Sequence, residues 1–471
     1  MTTMMKRFTW VHLLSALFSV ALSPSQALDN GLAQVPPMGW NSWNNIGCGI
    51  HEAFILETVQ LIQSLGLDQI GYKYLNIDDC WMAPHRNSQG ALVADPVKFP
   101  RGMKWLGDFL HQHGFLFGIY SSAGTKTCQA LPASLGHETI DAQTFASFGV
   151  DLLKYDNCYN QNIPSIDRYP VMRDALNATG RPILYSLCQW GAENSWQWAA
   201  SVGNMWRTTP DIEPHWQSVV SNFWMSQRHF EKSTNGAWLD PDMLHVGNGD
   251  LSLEENKSHF ALWAMAKAPL LLGNDLSKMT TDIFQIITNP SLIAINQDPH
   301  AKQATCILGC NRERSMDGIE QLPRTEHENP LLKDNKKTSL HLRKDARNTT
   351  KRMETPTVES KTDFSLFSTT MGNGTVAAML INWHNHDVLP PKQLNAVQLL
   401  GVTPSAHQSV QVWNVWSQTA VAPKGMSFEE LKHVSFPELA PHECVVYLFT
   451  IVENMRKSGT SMMPAATSMK N

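Results

Sequence analysis

The sequence predicts an α/β fold, a (β/α)8 TIM barrel followed by a C-terminal antiparallel β domain. Eight short apolar stretches alternate with helical patterns over about 250 residues, and strands that alternate with helices pair in parallel. Polar residues follow the carboxyl ends of these stretches, where such barrels place their active sites. A doubly wound open sheet is the structural alternative, but no Gly-x-Gly-x-x-Gly turn supports it.

The composition describes a large, exported globular protein. The 471 residues are 42% hydrophobic, with a net charge of −5 that is scattered along the chain, so no nucleic-acid partner is expected. The 16 Trp residues fit either sugar-stacking platforms or ordinary core packing. Neither the composition nor the motifs decide whether the chain forms a homo-oligomer.

Residues 1–27 read as a signal peptide. Lys6 and Arg7 precede an apolar run at residues 8–22, and residues 25–27 (SQA) form a small-x-small cleavage site. That run is too short to span a bilayer, and no later run reaches eighteen apolar residues. The sequence therefore predicts a secreted, extracellular protein without a membrane anchor, beginning near Leu28.

Residues 28–300 contain the alternating pattern of the barrel. Apolar positions at helical spacing predict a helix over 51–65 that Gly66 ends, and further helices around 105–110 and 142–148. Ser252 and Glu255 form a capping-box signature for another helix. The predicted strands include residues 72–77, 116–120, 151–156, 182–187, 203–206, 236–239 and 269–272.

The apolar pattern of residues 301–453 predicts a second domain. Residues 376–383, 410–416 and 444–451 alternate or run apolar without helical spacing, which suggests antiparallel strands. Residues 311–363 carry 22 charged residues in 53 and no Phe, Trp or Tyr, which predicts a flexible insertion. Residues 454–471 predict a disordered tail.

The stretch at residues 151–158 (DLLKYDNC) carries the first chemical signal. Lys154 and Asp156 are two apart at a strand end, so their side chains share one face. An ammonium beside a carboxylate favours its ionised form, as a nucleophilic aspartate requires. A surface salt bridge is the ordinary alternative for an isolated Lys-x-Asp pair.

The other strand ends repeat this design. Residues 77–81 (IDDCW) place Asp78 and Asp79 after a strand, and residues 240–243 (DPDM) follow another. Arg207 ends a strand, and Asp211 follows four residues later on a non-helical stretch. Taken singly, these are solvated strand ends or turn residues. A magnesium or calcium site is also possible, although such sites need more converging oxygens than the sequence guarantees.

These motifs, together with residues 38–43 (MGWNSW), resemble those of glycoside hydrolase family 27, the α-galactosidases or melibiases. Five motifs occur in the family's order over residues 28–300. The resemblance implies a (β/α)8 barrel with an antiparallel β domain, and hydrolysis of terminal α-linked galactose with retention and without a cofactor or metal. A carbohydrate with terminal α-galactose, in a short oligosaccharide or a galactomannan, is the implied substrate.

The resemblance assigns roles to individual residues. It implies Asp156 as the nucleophile and Asp211 as the acid/base, and retention requires two carboxylates about 5–5.5 Å apart. Because no cation lies as close to Asp211 in sequence as Lys154 lies to Asp156, we expect its pKa to be raised by the second carboxylate. The implied substrate-binding residues are Trp43, Asp78, Asp79, Tyr120, Lys154, Cys188, Trp190, Arg207, Asp242 and Met243.

The cysteines and sequons agree with export. The resemblance implies disulfides between Cys48 and Cys80 and between Cys128 and Cys158, with Cys188 unpaired. It leaves open whether Cys306 and Cys310 pair locally or one of them joins Cys444. Glycosylation sequons start at Asn177, Asn256, Asn348 and Asn373.

Two other functions remain open from the sequence. An α-N-acetylgalactosaminidase of the same family requires small residues beside the sugar's 2-position, where Cys188 and Trp190 are expected and look too bulky. A catalytically silent sugar-binding protein would be favoured by a lost carboxylate, but Asp156 and Asp211 are both present.

Overall fold

The computed structural model describes residues 27–300, 302–310, 364–390, 407–431 and 436–453. The predicted signal peptide (except Ala27), the charged insertion at 311–363, the tail at 454–471 and the Asn348 sequon lie outside these residues.

The first sheet consists of eight parallel strands in the order β7-β6-β5-β4-β3-β2-β1-β8. The ring is completed beyond β7, where Leu244 forms a parallel bridge to Leu272 of β8 and donates its N–H to the Leu271 carbonyl at 2.8 Å. The predicted TIM barrel is confirmed. Its strands are β1 (Met38–Asn41), β2 (Tyr74–Asn76), β3 (Leu116–Ser122), β4 (Leu152–Asp156), β5 (Leu184–Cys188), β6 (Met205–Arg207), β7 (Trp238–Asp240) and β8 (Leu270–Leu272).

Helices connect these strands, and their ends follow local chemistry. Ser252 and Glu255 form the predicted capping box, and Asn289 caps the helix that begins with Pro290. The helices are α1 (Trp43–Ile46), α2 (Glu52–Ser64), α3 (Gly102–Gln112), α4 (Glu138–Phe148), α5 (Ser165–Ala178), α6 (Trp216–Gln227), α7 (Leu253–Met265), α8 (Thr281–Ile287) and α9 (Pro290–Gln297).

Apolar side chains fill the inside of the barrel below its polar mouth. Leu152, Leu184, Met205, Trp238 and Leu271 are buried together there. A second, larger layer packs between the strands and the surrounding helices. The strand ends are therefore held from both sides, which fixes the side chains that follow them.

The second sheet is antiparallel and six-stranded, in the order β13-β12-β14-β11-β10-β9. The predicted C-terminal β domain is confirmed, because the strands predicted at 376–383, 410–416 and 444–451 correspond to β11, β12 and β14. Its strands are β9 (Thr305–Leu308), β10 (Phe364–Thr370), β11 (Val376–Asn382), β12 (Gln408–Asn414), β13 (Thr419–Ala420) and β14 (Cys444–Glu453), with a short helix α10 (Phe428–Leu431).

An aromatic cluster joins this sheet to the barrel. Trp383, which follows β11, lies 5.5 Å from the ring of Trp224 and 6.1 Å from that of Phe223, both on α6. His442 Nδ1 lies 2.6 Å from Glu255 Oε1 on α7. The β domain is thus anchored on the helical side of the barrel.

The cysteines pair as the resemblance implied. Cys48 is joined to Cys80 and Cys128 to Cys158, and a third disulfide joins Cys306 to Cys310. Cys188 and Cys444 are buried free thiols. The open question about Cys306 and Cys310 is thereby answered in favour of the local bridge.

The sequons differ in accessibility. Asn177, on the last turn of α5, and Asn373 are exposed. Asn256 is buried in α7; its Nδ2 donates to the carbonyls of Leu251 and Ser252, each at 2.9 Å. Because this nitrogen is the atom that would carry a glycan, the prediction of glycosylation at Asn256 is wrong for the folded chain.

Across the described part of the chain, none of the helices combines the length and the apolar composition needed to cross a bilayer.

Candidate active site

The polar residues expected at the barrel mouth follow the carboxyl ends of successive strands. Asp156, Cys188 and Arg207 are the last residues of β4, β5 and β6, and Asp78 lies two residues beyond β2. Because the strands are parallel, all four lie at the same end of the barrel.

Asp156 is a buried carboxylate with defined partners. Its Oδ2 accepts a hydrogen bond from the Tyr120 hydroxyl at 2.9 Å, and its Oδ1 accepts the backbone N–H of Asn157 at 2.8 Å. Burial raises the pKa of Asp156 to about 6; Lys154 lowers this pKa and Asp211 raises it. The influence of Asp211 shows that the two carboxylates share one electrostatic environment.

The partner of Lys154 differs from the sequence expectation. Lys154 Nζ donates to Asp78 Oδ2 at 2.7 Å rather than to Asp156. Asp78 Oδ2 also accepts from Asn41 Nδ2 at 2.9 Å. The ammonium therefore holds Asp78 directly and acts on Asp156 through space, and the burial of Asp156 outweighs this attraction.

Asp79 accepts hydrogen bonds from two backbone N–H groups. Its Oδ1 accepts the N–H of Cys80 at 2.6 Å and its Oδ2 accepts the N–H of Gln129 at 3.1 Å. Burial raises its pKa to about 7, with Asp78 adding to the increase. The Cys48–Cys80 and Cys128–Cys158 disulfides flank these donors, since Gln129 follows Cys128 directly.

Arg207 connects the acidic residues on the far side of the mouth. Its Nη2 lies 3.0 Å from Asp242 Oδ2 and 3.0 Å from Asp211 Oδ1. The expectation that Asp211 has no close cation is therefore wrong, because the loop after β6 folds back over the guanidinium. Arg207 is 3% exposed, whereas Asp211 is 64% exposed, so Asp211 is the member of this network that solvent reaches.

The loop after β7 is held in an uncommon conformation. Asp242 has a φ of 87°, a region that few residues other than glycine adopt. Its N–H donates to Asp240 Oδ1 at 2.9 Å, and its Oδ2 accepts the N–H of Ile212 at 2.8 Å. Burial raises the pKa of Asp240 to about 6, with Arg207 opposing the shift. These bonds tie the loop that carries Asp211 to the loop that carries Asp242.

A central cavity of about 350 Å³, including its open mouth, lies below these groups. Lys154, Cys188, Arg207, Asp242 and Met243 line it, as expected of substrate-binding residues. Sequence reasoning missed four further polar residues that line the cavity. Asn41 and Asp240 stood in motifs that drew attention to their neighbours, while Asn76 and Ser186 lie on strands with no chemical signal beyond their polarity.

The two tryptophans expected at the site are both half-buried. Trp43 follows β1 and packs against the apolar cluster inside the barrel. Trp190 follows β5 with a φ of 66°, beside Gly191, where an added Cβ would lie 2.2 Å from the Thr208 carbonyl oxygen. The loops after β5 and β6 are therefore in direct contact at Gly191 and Thr208. Neither Trp lines the cavity floor.

One group near the site has the spacing of a metal centre. The ligand atoms of Cys128, Asp156 and Cys158 lie within 4.8 Å of one another. The two sulfurs are joined in a disulfide, however, and so supply no thiolate ligand. Asp156 instead accepts hydrogen bonds from Tyr120 and Asn157.

Comparison with known proteins gives the family. A family model described as melibiase, α-galactosidase A, matches residues 35–298, more than half of the chain. The chain belongs to the α-galactosidase family. The described barrel is therefore that of a glycoside hydrolase, and the resemblance read from the motifs is confirmed.

Individual relatives agree with this assignment. α-Galactosidase 3 of Arabidopsis thaliana is 49% identical over 285 residues, which cover 60% of this chain and 65% of the plant enzyme. The crystal structure of α-galactosidase I from Mortierella vinacea is 33% identical, with a TM-score of 0.72, and covers 89% of this chain and 98% of that one. An α-galactosidase from Saccharomyces cerevisiae, determined with raffinose, is 28% identical with a TM-score of 0.69 over 92% and 100% of the two chains.

The match to the Arabidopsis relative thus spans slightly less than two thirds of that protein. It falls on the barrel, which carries the strand-end residues described above.

Proposed function

We propose that this protein is a secreted, retaining α-galactosidase that hydrolyses terminal α-linked galactose. The observation that carries the proposal is the buried Asp156, fixed by Tyr120 and Asn157 and electrostatically coupled to the exposed Asp211 at one barrel mouth. Membership in the α-galactosidase family supports the choice of sugar.

In the first step, Asp156 attacks the anomeric carbon of galactose while Asp211 gives its proton to the departing glycosidic oxygen. The carbon–oxygen bond to the aglycone breaks, and an ester between galactose and Asp156 forms. In the second step, Asp211 takes a proton from water, the water oxygen attacks the anomeric carbon, and Asp156 leaves. Two inversions give net retention.

The network around Arg207 suits the two roles of Asp211. In the free protein the guanidinium of Arg207 holds Asp211 at the mouth, with Nη2 3.0 Å from Oδ1. A sugar that covers the mouth would place its glycosidic oxygen beside Asp211, the position from which an acid/base acts in both steps. Asp156 receives the hydroxyl hydrogen bond of Tyr120, which stabilises its carboxylate as the leaving group of the second step.

The remaining polar groups would bind hydroxyl groups of the sugar. Asp78 and Lys154 form one pair and Arg207 and Asp242 another, so each presents fixed donors and acceptors to the cavity. Asp79 would accept a further hydroxyl hydrogen, and Trp43 would pack against the apolar face of the ring.

Short oligosaccharides are the proposed substrates, because the related yeast enzyme was determined with raffinose. Secretion is proposed from the basic and apolar start of the chain and from the three disulfides, which persist in oxidising compartments.

The test compares kcat/KM for an aryl α-galactoside and the corresponding α-N-acetylgalactosaminide on one preparation. Cys188 is buried beside Arg207, with its Sγ 3.6 Å from Nη1, and a close-packed wall excludes added volume at a cost of about 1–3 kcal/mol. We expect hydrolysis of the galactoside and little of the acetamido sugar. Comparable values would contradict the specificity, and NMR detection of β-galactose as the first product would contradict retention.

A further inference from the structure

A second cleft lies away from the barrel mouth, between α9 and the face of the β domain that is turned toward the barrel. It has a volume of about 520 Å³. Pro290, Ser291 and Ala294 of α9 form one wall, and residues of β12 and β14 form the other. Its size is that of a site for a small molecule rather than a surface groove between side chains.

A row of neutral polar side chains crosses the floor of this cleft. The hydroxyl oxygens of Thr375 and Thr450 lie 2.9 Å apart, and Thr450 pairs with Gln411 on the neighbouring strand β12. Directly paired residues of adjacent strands share a face of the sheet. The row therefore offers hydroxyl and amide groups that both donate and accept hydrogen bonds.

Trp413 stands beside this row, two residues beyond Gln411 on the same face of β12. It is 38% exposed, although it is a large aromatic side chain within a sheet. No charged side chain is among the described residues that line the cleft. An aromatic face combined with neutral amides and hydroxyls is suited to a neutral sugar rather than to a phosphate or a charged peptide.

Asn373 lies on the rim of the same cleft and begins the sequon Asn373-Gly-Thr375. The side chain is exposed in the turn before β11, and its Oδ1 accepts the N–H of Thr375 at 2.9 Å. Adjacent strands are about 4.8 Å apart, so β12 lies about 10 Å from β11 across β14. Two or three sugars attached to Asn373 span that distance.

We propose that this cleft holds the first sugars of an N-linked glycan on Asn373, with Trp413 as their stacking platform. The proposal rests on the proposed secretion, because only an exported chain receives such a glycan. The glycan on Asn373 would then be the ligand of both the exposed Trp413 ring and the row of neutral polar side chains.

The experiment uses the full chain secreted from a glycosylating eukaryotic host. Glycopeptide mass spectrometry measures occupancy at Asn373 and at the exposed control Asn177, and peptide N-glycosidase is then applied to the folded protein. We expect both sites to be occupied and release from Asn373 to be at least about tenfold slower than release from Asn177. Trp413→Ala should remove the difference, whereas Trp413→Phe, which keeps an aromatic ring, should retain part of it.

An unoccupied Asn373, or release as fast as from Asn177, would overturn the proposal, and the wild-type protein alone decides this. Binding of raffinose to the glycosylated protein that depends on Trp413 and survives an Asp156→Asn background would also overturn it, because the cleft would then serve a diffusible sugar. Hydrolysis of an aryl α-galactoside is measured on the same samples. Its loss would bear on the proposed function, not on the glycan.

Discussion

The ammonium of Lys154 lies 2.7 Å from Asp78 Oδ2, although Lys154 and Asp156 are two residues apart on the same strand. Asp78 lies beyond the end of β2, which β3 separates from β4, and its carboxylate takes the direct contact with this ammonium. Asp156 is left with Tyr120 and a backbone N–H, and its burial determines its pKa. Ionisation of the proposed nucleophile therefore depends on pH in the mildly acidic range.

The first prediction concerns the pH dependence of activity. Since Asp156 must be ionised to attack and burial raises its pKa to about 6, kcat/KM should fall by about tenfold per pH unit below about pH 6. Asp79 has a pKa of about 7. If its ionised form binds the sugar, the fall in kcat/KM begins at a correspondingly higher pH. Initial rates on an aryl α-galactoside at low substrate measure it, with tryptophan fluorescence as a control for unfolding. An acid limb near pH 4 would contradict the assignment.

The second prediction concerns stability. Burial raises the pKa values of Asp79, Asp156 and Asp240 to about 7, 6 and 6 from the ordinary 3.8. Between these values the folded protein binds more protons than the unfolded chain, so its stability decreases as pH rises.

Burial lowers the pKa values of His245 and His259, which opposes this trend below about pH 6.5. Above that pH the effect of Asp79 remains, so the Tm of the free protein should fall between about pH 6.5 and about pH 7.5. Asp79→Asn should flatten this dependence, whereas the exposed Asp174→Asn should leave it unchanged.

The third prediction tests the two carboxylates. Asp156→Ala and Asp211→Ala should each lose nearly all hydrolysis, because the nucleophile and the acid act in one reaction sequence. Asp174→Ala, which removes an exposed carboxylate paired with Arg173, is the control and should keep wild-type rates. If a site variant retained more than about a tenth of the rate, a loss below ~1.4 kcal/mol, its assigned role would be wrong.

The fourth prediction contrasts two arginines. Arg207 is 3% exposed and contacts the buried Asp242 and the exposed Asp211, so Arg207→Ala leaves Asp242 buried without its cation. Removing one partner of a buried pair costs about 3–5 kcal/mol. Arg173→Ala breaks a pair in which Asp174 is 66% exposed, and it should cost no more than about 1 kcal/mol. Urea unfolding of both variants measures the difference, and equal losses would contradict the central role of Arg207.

The sequence was sufficient for the fold because the strands and helices carry strong local signals. Short apolar strands flanked by Gly and by polar residues placed seven of the eight barrel strands, all but β1, with boundary differences such as 72–77 predicted against Tyr74–Asn76 observed. Strand ends also placed Asp156 and Arg207 at one mouth. The pairing of Lys154 with Asp78 was not predictable, because it joins the ends of β4 and β2, whose approach depends on the closed barrel. The pairing of Arg207 with Asp211 was not predictable either, because it depends on how the loop after β6 folds back.

Buried polar positions inside strands were equally beyond sequence reasoning. Asn76 lines the cavity, yet on β2 it stands as one polar residue among apolar neighbours. Its inward direction follows from the register of the sheet rather than from its type. Asn256 shows the opposite error, because a sequon specifies a glycan only when the helix that carries it leaves the amide exposed.

The last prediction concerns the 53-residue segment 311–363. The strands on either side of it pair antiparallel, with Leu308 opposite Leu366, and Ser365 Oγ donates to the Gly309 carbonyl at 2.7 Å. The chain therefore leaves and re-enters the sheet at adjacent points, which a loop of a few residues can join. Replacing residues 311–363 by a short Gly-Ser linker should preserve folding, the Cys306–Cys310 disulfide and kcat/KM.

The loop replacement also has a thermodynamic expectation. Each halving of a flexible loop lowers the closure cost by about 0.6 kcal/mol, so the shortened protein should have an equal or higher Tm. Limited proteolysis of the wild type offers the matched experiment, since cleavage within 311–363 should leave hydrolysis intact. Activity that falls in step with this cleavage, or a shortened protein that folds but does not hydrolyse galactosides, would show that the segment contributes to the site.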